Sequence, residues 1–308
     1  MAMRREENFA SASLVALVIR AAAEADPALV PHGIKAPDPM RDARISASGK
    51  RELLQHIYER RGAGPLLSIG RHLGDAAASP VLAVLANAGR PDIFVEKWRR
   101  LERYGHAANR TEIVIEGYRA LNCRRYSQGD PPTPAENALI AGFLFGLCGL
   151  AGARGRRLDI DGRRFDARSV AAAGPLAGDG ARFRIAWKEW NPDPRPSPDT
   201  AASEPLADRL KTFLATDVAR NWSLGEAAGQ MAKSPRSLQR ELGAQGLTFS
   251  TVLRGVRIDE AARLLRAGAA SLAEIGYCCG YADQPHFQRD FRRALNMSPG
   301  DYRRVALD

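Results

Sequence analysis

A chain of 308 residues is about twice the ~100 to 200 residues of one ordinary domain, so two domains are expected, each long enough to bury its own core. Hydrophobic residues at 45% and charged residues at 26% are the proportions of a folded globular chain and exclude extensive disorder. The net charge of +10 favours a polyanionic partner, nucleic acid or an anionic membrane surface, with simple solubility as the plain alternative.

The amino-terminal segment places Arg4 and Arg5 before an apolar stretch, as an export signal does. Glu6 and Glu7 interrupt the basic region and Arg20 ends the short run from Leu14 to Ile19, so a surface-anchored helix is expected instead. Leu14, Leu17, Val18 and Ala21 share one helical face, as do Leu53, Leu54 and Ile57, and further helices are expected in SPVLAVLANA and DIFVEKWRRLERYGH. The period then changes. RTEIVIEGYR and ALNCRRYS alternate as strands, and the uncharged run from Ala138 to Ala153 falls short of the ~20 residues needed to span a bilayer, which predicts a buried helix and no membrane partner. RRLDIDGRRFDARS predicts a hairpin turning at Asp161-Gly162, and ARFRIAWKEW a strand with Phe183, Ile185 and Trp187 on one side and Arg184 and Lys188 on the other. Helices, two strands, a buried helix and more strands make an α+β first domain over residues 9–190.

Five prolines in NPDPRPSPDTAASEP predict a semi-extended linker over residues 191–204. Residues 205–305 then read as all-α. Capping residues open the segments: Ser223 before LGEAAGQMA, Ser234-Pro235 before RSLQREL, Ser271 before LAEIGYCCG and Asp283 before QPHFQRDFRRAL. Between the pairs lies TFSTVLRGVRIDEAARLLRAG, with Val252, Val256, Ala261, Leu264 and Leu265 as core contacts, so two helix-turn-helix units joined by a helix are expected. In each unit the second helix has the form that enters a major groove. Leu238 and Leu242 turn inward, leaving Arg236, Gln239 and Arg240 outside; Phe287 and Phe291 anchor the second unit, leaving Gln284, His286, Gln288, Arg289, Arg292 and Arg293 outside. Arginine and glutamine make bidentate contacts with guanine and adenine.

Residues 205–304 resemble the DNA-binding domain of the arabinose-regulator (AraC/XylS) family of bacterial transcription factors. The resemblance rests on SPRSLQREL, on Gly246 with Phe249, on Arg257 with Ala261, Leu264 and Leu265, on Ile275, Gly280-Tyr281, Phe287, Arg289 and Phe291, and on the closing NMSPGDYR. Gly276, Pro285 and Asn296 depart mildly from the usual residues; proline suits a first helical turn and asparagine a left-handed C-cap. The resemblance implies a cytoplasmic activator that contacts double-stranded DNA and RNA polymerase, with Arg236, Ser237, Gln239 and Arg240 on one recognition helix and Gln284, His286, Gln288, Arg289, Arg292 and Arg293 on the other. It implies a structural role for Arg257, tying the central helix to the second unit. It also implies that the first domain binds a small-molecule effector or forms a homodimer.

Other chemistry finds little support. Four cysteines fit a reducing compartment, the adjacent Cys278 and Cys279 read as packed thiols, and His286 is too isolated to complete a zinc site. No phosphate loop, nucleophile elbow or His-x-x-x-His spacing is present, so neither an enzyme nor a cofactor or metal is expected. Three alternatives stay open: a haem sensor using His106 or Cys123, a helical domain that docks a protein partner, and a nonspecific DNA-binding protein. Arg154, Arg156, Arg157, Arg163 and Arg164 form either a solvated hairpin surface or an anion-binding patch.

Overall fold

The computed structural model describes residues 10–30, 44–45, 47–74, 79–104, 109–192, 204–268 and 270–307. The chain divides into two compact units, Met1–Asp193 and Pro194–Asp308. Most of the expected proline-rich linker, with His32 and His106, lies outside the described residues.

In the first unit a two-residue strand β1 (Ala10–Ser11) leads into α1 (Ala12–Ala25) and pairs with β2 (Arg44–Ile45). Helices α2 (Ala47–Arg61), α3 (Gly64–Leu67), α4 (Pro80–Ala86) and α5 (Pro91–Tyr104) follow. Strands β3 (Asn109–Glu116) and β4 (Ala120–Ser127) form an antiparallel hairpin, and α6 (Pro134–Leu150) succeeds them. The chain then runs through β5 (Ala153–Arg154), β6 (Arg157–Ile160), β7 (Arg163–Asp166), β8 (Arg182–Ala186) and β9 (Glu189–Trp190). The main sheet is antiparallel in the order β3-β4-β8-β6-β7, and β5 pairs separately with β9. Asp161 and Gly162 join β6 to β7 with φ of 47° and 74°, the doubly positive pair of a two-residue hairpin turn.

Period-two alternation sorts the sheet into two faces. Ile113, Leu121, Cys123, Leu158, Ile160, Phe165, Phe183, Ile185 and Trp187 are buried in the same core as α6. The opposite face carries the ion pairs Glu112–Arg124 at 3.6 Å and Glu116–Arg184 at 3.0 Å, and Val114, 57% exposed. Helix α5 covers the open edge of β3: Glu102 accepts from the Thr111 backbone N–H at 3.0 Å and Arg99 donates to the Ile113 carbonyl at 2.6 Å. These bonds occupy groups that an uncovered edge strand would offer to another chain.

Helix α6 opens with a reciprocal cap, in which Thr133 Oγ1 accepts from the Glu136 N–H and Glu136 Oε2 from the Thr133 N–H. Its glycines do more than dilute an apolar run. A Cβ on Gly142 would stand 2.5 Å from the carbonyl oxygens of Leu66 and Leu67, and one on Gly146 would collide with Gly70 Cα. Backbone therefore packs on backbone, an approach that any side chain prevents. Gly142→Ala is expected to destabilise the first unit by about 1–3 kcal/mol through overpacking, read as a lower midpoint in thermal unfolding. No helix among the described residues is long and apolar enough to cross a membrane.

Among the described residues of this unit the cationic side chains of Lys97, Arg100 and Arg125 are buried. Lys97 is fully buried and donates to the carbonyls of Val84 at 3.0 Å and Asn87 at 2.8 Å, placing positive charge at the carboxyl end of α4. Arg125, inward-facing opposite Thr111 in the β3–β4 register, donates to Thr111 Oγ1 at 2.9 Å and lies 3.6 Å from Glu102.

The second unit consists of seven helices among its described residues: α7 (Leu206–Ala215), α8 (Leu224–Gln230), α9 (Pro235–Gly243), α10 (Phe249–Ala267), α11 (Leu272–Cys278), α12 (Gln284–Leu295) and α13 (Pro299–Leu307). Leu210, Leu214, Trp222, Leu238, Leu242 and Val252 share one core that ties α7 to the first helix pair and to the start of α10. Helix α10 continues past it to pack against α11, α12 and α13. The two halves are thus arranged along one long helix, as the capping pattern predicts.

Candidate nucleic-acid interface

Each helix pair is built by the same local devices. Ser223 caps α8 and Ser271 caps α11, each in a reciprocal box with a glutamate three residues on, Glu226 and Glu274. Nine residues after each of these serines the backbone turns left-handed, at Ala232 with φ of 54° and at Gly280 with φ of 78°. Glycine meets that requirement freely, and alanine pays for its Cβ. Ala232→Gly is therefore expected to raise the stability of the second unit by about 0.5–1 kcal/mol, a gain that chemical denaturation of residues 204–308 would register.

The second helix of each pair is amphipathic. Ser234 caps α9 and accepts from the Ser237 N–H at 3.1 Å, with Pro235 in the first turn. Leu238 and Leu242 are fully buried, and Arg236, Gln239 and Arg240 are exposed. Ser237 is half-buried, and its hydroxyl takes part in the cap, 3.0 Å from Ser234 Oγ. It shapes the helix start, while the arginines and glutamine face outward.

Asp283 caps α12 by accepting from the His286 N–H at 2.7 Å. Phe287 and Phe291 are fully buried in an aromatic series with Tyr281 and Tyr302, successive centroids lying 5.4, 5.8 and 5.4 Å apart. Gln288, Arg289, Arg292 and Arg293 are exposed, and Gln284 is half-buried. Asn296 ends the helix in the left-handed conformation, φ 56°, so the asparagine at that position meets a C-cap requirement.

His286 is placed differently from its exposed neighbours. Its ring meets Tyr281 edge-on at 5.2 Å and its Nε2 lies 3.5 Å from Asp290 Oδ2. Asp290, on the inner side of α12, is buried, a placement that the spacing of the core anchors Phe287 and Phe291 does not reveal. The available signals were an acid inside a strongly basic helix and the four-residue spacing from His286.

Arg257 of α10 lies against the turn of the second pair: its guanidinium sits 5.7 Å from the Tyr281 ring centroid, and a Cβ on Gly280 would come within 3.0 Å of it. Cys278 and Cys279 are buried at the end of α11, and burial pushes the Cys279 thiol well above its ordinary pKa. Cys123 is likewise buried and its thiol pushed up. Among the described residues no three His, Cys, Asp or Glu side chains stand together as a metal site. Four of the five arginines singled out around the hairpin have local partners, and Arg157 is exposed. Arg164 pairs with Asp159 at 2.6 Å, Arg163 bonds the Pro175 carbonyl, Arg154 the Gly149 carbonyl, and Arg156 lies over the Phe145 ring.

Residues 227–305, from within α8 through α12 and most of α13, match a family model described as a helix-turn-helix domain. The carboxy-terminal domain is an AraC-type helix-turn-helix domain. Transcriptional regulator SirC of Salmonella typhimurium strain SL1344 is 31% identical over 98 residues, 32% of this chain and 33% of that protein. HTH-type transcriptional activator RhaS of Escherichia coli O9:H4 is 42% identical over 95 residues, 30% of this chain and 33% of that one. Among solved structures, the C-terminal domain of AraT, a response regulator from Geobacillus stearothermophilus, is 27% identical and covers 34% of this chain and 88% of that chain, with a TM-score of 0.31. The chain spans about a third of the length of the curated relatives it matches, and the matched part is the AraC-type domain.

Proposed function

We propose that the chain is a sequence-specific DNA-binding transcription regulator, an activator, whose helices α9 and α12 enter successive major-groove segments about one helical turn, ~34 Å, apart on one face of the duplex. The observation that carries this reading is the repetition: two capped helix pairs, each turning nine residues after its serine cap, each presenting arginine and glutamine from its second helix. One such helix reads a few base pairs, and two on one long helix read two sites. The net charge of +10 supports the phosphate contacts that position them.

Arg236, Gln239, Arg240, His286, Gln288 and Arg289 are the groups offered to base edges and phosphates, with Arg292 and Arg293 as phosphate contacts and Ser237 and Gln284 at the helix starts. RhaS and SirC, named as activator and regulator, support a regulatory role without catalysis, with RNA polymerase as the protein partner of an activator. The first unit supplies the effector-binding or dimerising surface in this reading, and the protein works in the cytoplasm.

The test is a competition experiment. Duplexes enriched from a random library by the full-length protein should outcompete a scrambled duplex by a factor of ~10³ or more at physiological salt, with affinity falling steeply as salt rises. Equal competition by the scrambled duplex would mean a nonspecific coating protein.

A further inference from the structure

Asp290 occupies a costly position. It lies between the core anchors Phe287 and Phe291, with its side chain only 12% exposed, where an aliphatic residue would be buried without any charge to desolvate. Two cations face it, Arg254 from α10 at 3.5 Å and Arg293 at 3.9 Å, and the His286 imidazole Nε2 lies 3.5 Å away. His286 and Arg293, 44% and 70% exposed, belong to the outward set of α12, so the carboxylate lies beside two of the helix's own base- or phosphate-facing groups.

We propose that Asp290 is a specificity-determining positioning residue, which lowers the affinity of α12 for any phosphate backbone by its charge beside Arg293 while holding His286 in the arrangement that reads the operator. This rests on the DNA-binding reading above. Nonspecific binding is almost wholly electrostatic, whereas specific binding adds base contacts that depend on fixed geometry. A carboxylate beneath a basic helix therefore weakens the first more than the second. Its link to Arg254 also anchors α12 to the central helix, so the groups it holds move with α10.

The experiment compares wild type, Asp290→Asn and Asp290→Glu of the full chain on a library-selected duplex and on a scrambled one, across a salt series. Asp290→Asn is expected to tighten scrambled-duplex binding several-fold and steepen its salt dependence, by up to ~0.9 in log–log slope for each cation that gains a phosphate. Its preference for the selected duplex should fall by about tenfold, roughly one mismatched base pair. Asp290→Glu keeps the charge and should stay near the wild-type preference. Asp290→Leu, which removes the charge but keeps an apolar body, serves as the second neutral variant if the amide disturbs folding. Wild-type preference in the neutral variants, or the same loss in Asp290→Glu, would overturn the assignment while leaving the DNA-binding reading intact. A wild-type chain that selects no motif would overturn that reading and this assignment with it.

Discussion

Replacing Arg240 and Arg289 together by alanine is expected to weaken binding to the selected duplex by about 2–6 kcal/mol, the sum of ~1–3 kcal/mol for each base-reading arginine. The two residues stand on separate helices, α9 and α12, so their effects should be nearly additive. Both side chains are exposed, so the variant should unfold at the wild-type temperature and the loss would belong to the interface. Binding to a scrambled duplex should fall much less, by the phosphate attraction alone. Fluorescence anisotropy with both duplexes separates the two losses, and unchanged binding to the selected duplex would remove these faces from the interface.

In the first unit, Arg125→Met is expected to lower stability by about 3–5 kcal/mol, because it leaves Glu102 buried without its cation. Glu102 is already under strain: burial pushes its carboxyl above the ordinary range, against the opposing pull of its Thr111 hydrogen bonds and of Arg125. A carboxyl whose folded pKa is raised binds its proton more tightly in the folded state, so stability falls as pH rises through the interval between unfolded and folded values. Without Arg125 that interval widens. The deficit of the variant should therefore narrow as the pH is lowered toward the carboxylate range, and Glu102→Gln combined with Arg125→Met should recover much of the loss. Thermal unfolding of the full chain at several pH values checks both; a deficit independent of pH would show that packing alone is at stake.

Much of the second unit was legible because its signals are local. Ser223, Ser234, Ser271 and Asp283 all cap helices, and Leu238, Leu242, Phe287 and Phe291 fall on the buried faces that their spacing implies. The Asp161-Gly162 turn was equally plain, since two residues of left-handed backbone favour that pair. Helices α7 and α13 were missed: their burial is decided by packing on α10, a contact between segments distant in sequence. The same limit hid the charged interior. In ALNCRRYS one of the two arginines must face inward, but its partner Glu102 lies on a helix and is invisible to strand periodicity. Gly142 and Gly146 read as weak points of an apolar run because the backbone they admit, residues 66–70, comes from another helix and turn. Asp290 escaped for a related reason, since its cost and its purpose depend on Arg254 of α10.

If α9 and α12 occupy two major-groove segments at once, guanine N7 atoms on the selected duplex should be protected from methylation at two places. The expected footprint is two protected clusters on one face, about one helical turn apart, with Arg240→Ala erasing protection in one and Arg289→Ala in the other. A single protected cluster, or two that respond together to either substitution, would mean that the two helices do not bind separate groove segments.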